Sequence, residues 1–131
     1  MKIIHESEVP EIAPPGRRLR WIAGAGEGEL NAEYCSSCVM RVEPGQTVQP
    51  AHSHPGGEEL IYVIGGEGKV YVDGIIRPLR PGSAVLFEKG SVHMVRNSGA
   101  AEMKVACFFA PRTNLQEYEF HPDVRFDDGA E

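Results

Sequence analysis

"AHSHPGGEELIYVIGGEG", residues 51–68, sets two histidines one residue apart, then two adjacent acids, then an apolar run. In an extended strand residues i and i+2 share a face, so His52 and His54 can aim at one target. Taken alone, a His-X-His is explained as well by two solvent-facing side chains in a loop. The residues that follow change the balance. Pro55-Gly56-Gly57 is a turn or bulge able to reset the register, and a carboxylate comes directly after it at the head of "LIYVI". A third histidine, His93, leads into another strand through "EKGSVHMV". Three imidazoles and a carboxylate, each at the start of a strand, can converge inside a barrel. That donor set suits a divalent transition metal: Fe, Mn, Ni, Zn or Cu.

Outward from this stretch the chain reads as short strands between turns. "LRWIA" is a first strand, "NAEYCSSCVMRV" (31–42) a second, and Pro44-Gly45 a type II turn with glycine at the positive-φ position. "KVYV", Asp73-Gly74 and "IIRPL" form a hairpin, because a type I′ turn needs positive φ twice. "GGEG" at 65–68 lacks the Lys-Ser/Thr of a phosphate loop and reads as another hairpin turn. "AVLF", "VHMV" and "AEMKVACFFA" complete the strands. Thr113–Gln116 has the form of a capping box leading into one helical turn at "EYEF", and the tail "DDGAE" is expected to be disordered. Glycine and proline together are 25 of 131 residues, against an average of roughly one in eight, which favours many tight turns and an all-β fold. The expectation is one domain over 1–131: a proline-rich extended arm at 1–18 covering an edge, a barrel at 31–110 and an extension at 111–131.

The net charge of −6, with basic residues single or in the short pair Arg17-Arg18, speaks against nucleic acid or an anionic membrane as partner. There is no run of ~20 apolar residues and no signal-peptide core, so a cytoplasmic protein is expected. Three cysteines do not make a disulfide framework. Cys35 and Cys38, three apart, would diverge on a strand and are read as buried and inert, as is Cys107. His5 and His121 are read as solvated, and Trp21 as core or interface.

The spacing of these residues resembles the two metal-binding motifs of the cupin superfamily. The first family motif runs Gly, five residues, His-X-His, three or four residues, Glu, six residues, Gly. Here it reads Gly45, six residues, His52-Ser53-His54, four residues, Glu59, six residues, Gly66. The second runs Gly, five residues, Pro-X-Gly, two residues, His, three residues, Asn. Here it reads Gly82, "SAVLF", Glu88-Lys89-Gly90, "SV", His93, "MVR", Asn97. Two departures stand out: the Gly45–His52 gap is one residue longer, and Glu88 replaces the proline. Glu58 also satisfies the spacing, but the family's "EE..YV" arrangement places the second acid, Glu59, on the metal.

The resemblance implies a small antiparallel jelly-roll barrel, a double-stranded β-helix, holding one divalent transition metal per chain on His52, His54, Glu59 and His93. It also implies a small-molecule ligand or substrate and oxygenase, decarboxylase, isomerase or lyase chemistry. The alternative is a module that senses a metabolite or metal without turnover. Glu58, Tyr62, Glu88 and Arg96 are candidates for the pocket around the metal. Arg41, Tyr71 and His121 could also supply polar contacts, though on a barrel such residues are commonly exterior. Small cupins commonly dimerise through crossing arms, so a homodimer is expected.

Overall fold

The computed structural model describes residues 1–127. The first half of the chain supplies β1 (Arg18–Gly24), β2 (Leu30–Asn31), β3 (Ser36–Val42), β4 (Ala51–Ser53) and β5 (Glu58–Gly65). The second half supplies β6 (Gly68–Val72), β7 (Ile75–Leu79), β8 (Ala84–Phe87), β9 (His93–Asn97), β10 (Met103–Ala110) and the short β11 (Glu119–His121). They form a six-stranded sheet ordered β2-β1-β3-β10-β5-β8 and a five-stranded sheet ordered β11-β4-β9-β6-β7. All pairings are antiparallel except β1 with β2. The two sheets close on one interior, as expected of a double-stranded β-helix.

Period-two alternation decides what faces inward. On β5, Glu59, Ile61 and Val63 are buried while Glu58, Leu60, Tyr62 and Ile64 are exposed. On β10, Met103, Val105, Cys107 and Phe109 are buried. Val42, Val70, Leu79 and Val95 close the apolar body from the remaining strands. The Asp73-Gly74 hairpin forms as its dipeptide predicts, with φ of 45° and 89°, between the partners Val72 and Ile75. "GGEG" does not make a hairpin. β5 and β6 belong to different sheets, and these residues form the corner between them. Gly66 (φ 80°) lies so close to β10 that a Cβ there would stand 2.6 Å from the Glu102 carbonyl oxygen.

Two other expectations need correction. The strand expected over 31–42 is broken: Ala32–Cys35 loops out, leaving Cys35 exposed, and β3 begins at Ser36. The helical turn is a single 3-10 turn at Leu115–Glu117, capped by Asn114, whose side chain accepts from the Gln116 N–H, and not by Thr113. "EYEF" then enters β11, which pairs with β4 at Phe120–His52. The arm covers the edge of β1 through the backbone pair Ile12–Leu19. It is tied to the same chain by Glu6 with Arg41 (2.5 Å) and Lys104 (3.2 Å), and by burial of Val9. The tail expected to be disordered begins at Asp127, the last described residue, and its residues 128–131 lie outside the described residues.

Candidate metal centre

β4 and β9 meet at a single register, His52 opposite His93, which brings their rings to 4.4 Å between centroids. His54 leaves β4 into the turn that the two following glycines allow, and its carbonyl accepts from the Gly57 and Gly90 N–H groups. The second contact ties the loop of the first motif to the turn of the second. At Gly57 an added Cβ would fall 2.5 Å from the Ala110 carbonyl oxygen, so only glycine lets the loop drop against β10 and start β5 with Glu59 inward. Donor atoms of His52, His54, Glu59 and His93 then lie within 4.8 Å of one another, and all four residues are buried.

The hydrogen bonds show what this cluster lacks. The Nδ1 atoms of His52 and His93 lie 3.3 Å from the Pro50 and 3.0 Å from the Ser91 carbonyl oxygen. A carbonyl only accepts, so each Nδ1 carries a proton, and a ring in its neutral form keeps its lone pair on Nε2. Yet His93 Nε2 is 3.1 Å and His54 Nε2 2.8 Å from Glu59 Oε1. With neutral rings, the His93 Nε2 lone pair and the carboxylate oxygen face each other with no proton between them, and a cation bound there would satisfy both. His54 Nδ1 is buried and has no hydrogen-bond partner among the described residues. The donor set therefore fits a divalent transition ion.

Burial, and then the neighbouring His93, hold the His52 imidazole well below its ordinary range and so neutral. Burial pushes the Glu59 carboxyl up, but hydrogen bonds and charge from His54 and His93 outweigh it and keep it ionised well below the usual carboxylate range. Ring planes are set by stacking: Phe87 on His93 at 3.8 Å, Tyr118 on His52 at 5.1 Å.

The other residues singled out in the sequence do not join the cluster. Glu58 is exposed and points away from it, beside a recess of about 40 Å³ behind His54. Tyr62 faces outward, because alternation on β5 gives the interior to Ile61 and Val63. Arg96 is on the outer side of β9, its Nε donating to Thr47 Oγ1 and its guanidinium over the Phe126 ring. Glu88 is exposed at the first position of its turn, where the Ser91 N–H bonds its carbonyl and no fixed φ is needed. Asn97, the end of the second motif, is a structural tie: it donates to the Val42 and Ala101 carbonyls and accepts from the Gly99 N–H. His5 is exposed as expected, but His121 is half-buried, 2.9 Å from Ser53 Oγ. Trp21 packs on Phe109.

Four cavity residues were not legible in the motifs. Arg17, Tyr118 and the facing pair Cys38–Cys107 line an inner cavity of about 20 Å³ with His52, Glu59 and His93. Gly16 before Arg17, at the end of a proline arm, and the alternation of "EYEF" were the only local hints. A wider groove, about 480 Å³ along Trp21, Glu29 and residues 112–117, contains none of the four residues His52, His54, Glu59 and His93. The candidate ligands His52, Glu59 and His93 line the smaller cavity instead.

Comparison with known proteins agrees with this geometry. The family model described as "Cupin domain" matches residues 38–109, which span both motifs. Protein SchB of Streptomyces halstedii is 36% identical over 110 residues, 84% of this chain and 78% of its own. Polyketide synthase CurC of Streptomyces cyaneus is 29% identical over 107 residues, 79% of this chain and 68% of its own. Among solved structures, the polyketide cyclase RemF of Streptomyces resistomycificus superposes with a TM-score of 0.73 at 20% identity, covering 98% of this chain and 88% of that one. With both motifs inside the matched segment and the fold shared along almost the whole chain, the protein belongs to the cupin family.

Proposed function

We propose that the protein is a metal-dependent enzyme acting on a small enolisable carbonyl compound, of the kind handled in polyketide assembly. The observation that carries the reading is the convergence of His52, His54, Glu59 and His93 in a buried, aromatic-walled cavity. The names of CurC and RemF supply the substrate class. A divalent ion held by these four residues would supply Lewis acidity toward a carbonyl oxygen, or a dioxygen site if it is redox-active. The chain's own side chains do the rest. Phe87 and Phe109 flank the histidine rings and exclude water. Burial, and then the charge of Glu59, push the Tyr118 phenol up, so it stays protonated and donates to a substrate oxygen. The segment carrying Leu115 and Tyr118 lies over the cavity and must shift to admit anything larger than a water.

Elemental analysis of untagged protein, followed by turnover assays on poly-β-ketones, keto acids and catechols with and without dioxygen, tests this. One transition ion per chain and anaerobic turnover of a poly-β-ketone, lost in His93→Ala, is the expected result; failure to take up any ion overturns it. The small inner cavity favours a second reading, a binding module without turnover. Tight zinc occupancy with no reaction on the whole panel would establish that one.

The reading includes a homodimer in the cytoplasm. The arm docks on its own sheet, and Leu60, Tyr62, Leu86 and Phe108 on the outer side of β5, β8 and β10 are each 44–49% exposed. Leu60 pairs across to both Leu86 and Phe108, so the patch is continuous. Cys38 and Cys107 face each other as free thiols, which suits a reducing compartment. Light scattering of Leu60→Glu and of a chain lacking residues 1–16 separates the patch from the arm as the source of the dimer. A wild-type monomer would refute both.

A further inference from the structure

Arg17 is the one charged residue besides the ligand Glu59 that both is buried and lines the inner cavity. It is 7% exposed, yet among the described residues no carboxylate stands within ion-pair distance of it. Arg18, Arg20 and Arg41, outside on the same sheet, all have acidic partners. Its Nη1 donates to the Pro15 and Gln49 carbonyl oxygens at 3.1 and 3.2 Å, and its Nη2 and Nε have no hydrogen-bond partner among the described residues. The side chain also borders an outer groove of about 220 Å³ between the arm and the C-terminal segment, lined by Pro14, Pro50, Leu115 and Phe120. It therefore stands between the outside and the metal ligands.

The backbone is built to hold it there. At Gly16 φ is 79°, and a Cβ would lie 1.8 Å from the Thr47 carbonyl oxygen, so only glycine brings the arm this close to the rim. Burying a guanidinium without a counter-charge is costly, and a second partner normally offsets that cost. The charge of Glu59 offsets part of that cost, but its carboxylate oxygen is bonded to His54 and His93 and makes no ion pair with Arg17. A divalent ion there would leave the ligand group with a net positive charge, and Arg17 adds another. The cavity is a place for an anion.

We infer that Arg17 is the anion-binding residue of this site, and that the substrate is a small carboxylate whose charged end meets the Nη2–Nε edge of Arg17 while its carbonyl end lies at the metal ligands. A guanidinium presents two parallel donors that match a carboxylate. The inference rests on the proposed metal centre for the second anchor only, since the Arg17 contact does not require an ion.

Calorimetric titration with two probes tests it. Malonate carries two carboxylates, and acetylacetone offers similarly spaced oxygens with no charge in its neutral form. Both are titrated into metal-loaded and metal-free protein, as wild type, Arg17→Gln and Arg17→Lys. Arg17→Gln should weaken malonate by about tenfold or more, leave acetylacetone within twofold and leave metal content unchanged. Arg17→Lys should restore part of the loss. Equal losses for both probes, or malonate binding unaffected by Arg17→Gln, would overturn the role, as would a wild type that does not bind malonate. If no ion is taken up, the metal-centre reading fails by itself; the Arg17 role then stands on the malonate loss in metal-free protein and falls without it.

Discussion

The two ends of the barrel interior are equally buried and chemically opposite. At one end Val42, Val63, Met103 and Val105 are 0% exposed and belong to one apolar cluster. At the other, His52, His54, Glu59 and His93 are at most 5% exposed and bring their donor atoms within 4.8 Å of one another. The first end is complete as it stands, because packing satisfies every group it contains. The second gathers donor atoms that could hold a cation, beside the buried guanidinium of Arg17. Burial alone does not separate core from site; unsatisfied polarity does.

The comparison breaks first if the two ends respond alike to truncation. Met103→Ala should cost about 2–5 kcal/mol of stability through transfer loss and cavity formation, while the fraction that stays folded keeps its metal. His93→Ala should do the reverse, stripping most of the metal at matched protein concentration with far less loss of stability. Urea midpoints and metal content measured on both variants decide it. A destabilised but metal-full His93→Ala would refute the division.

Acid should find the polar end first. In metal-free protein His52 and Glu59 both have pKa values below their ordinary 6.5 and 4.5. The unfolded chain therefore binds the extra proton in each window, and stability falls as pH drops below 6.5 because of His52, then again below 4.5 because of Glu59. The slope is at most about 1.4 kcal/mol per pH unit for each proton. Loading a divalent ion should move the onset to lower pH. Urea midpoints that stay flat from pH 7.5 to 4 in metal-free protein would contradict this.

Two finer changes sharpen the boundary of the site. Glu59→Gln keeps the shape and removes the charge, so metal affinity should fall markedly, whereas Glu58→Gln, exposed and outside the cluster, should retain it. The opposite outcome would exchange the two acids. The smallest effect is expected of Glu88→Pro, which restores the family's turn residue at an exposed position following extended Phe87. Stability should change by no more than about 0.5 kcal/mol, with metal content intact. Loss of metal in that variant would place Glu88 among the groups that hold the ion.

What could be read along the chain was what depends on neighbours a few residues away. Period two placed His52 and His54 on one face, Asp73-Gly74 announced its turn, and motif spacing picked out Glu59 and His93. Tyr62 shows the limit of such reading. It lies in the matched segment, yet whether it faces in or out follows from which residue of the Glu58-Glu59 pair starts the inward series, and that is set by Gly57 meeting the Ala110 backbone. "GGEG" looked like a hairpin because local turn chemistry does not say which sheet the next strand joins.

Tertiary structure alone decided how the two terminal segments complete the site. Arg17 reaches the cavity because the arm folds back along β1 with Gly16 pressed on the rim, and Tyr118 because β11 adds to the strand that carries His52. Neither has a fixed spacing to the ligands. Each is placed by contacts across tens of residues, so a period or a short motif cannot encode it. The candidate metal ligands are written into the turns that hold them; the groups that would choose a substrate are written only into the way the chain closes over itself.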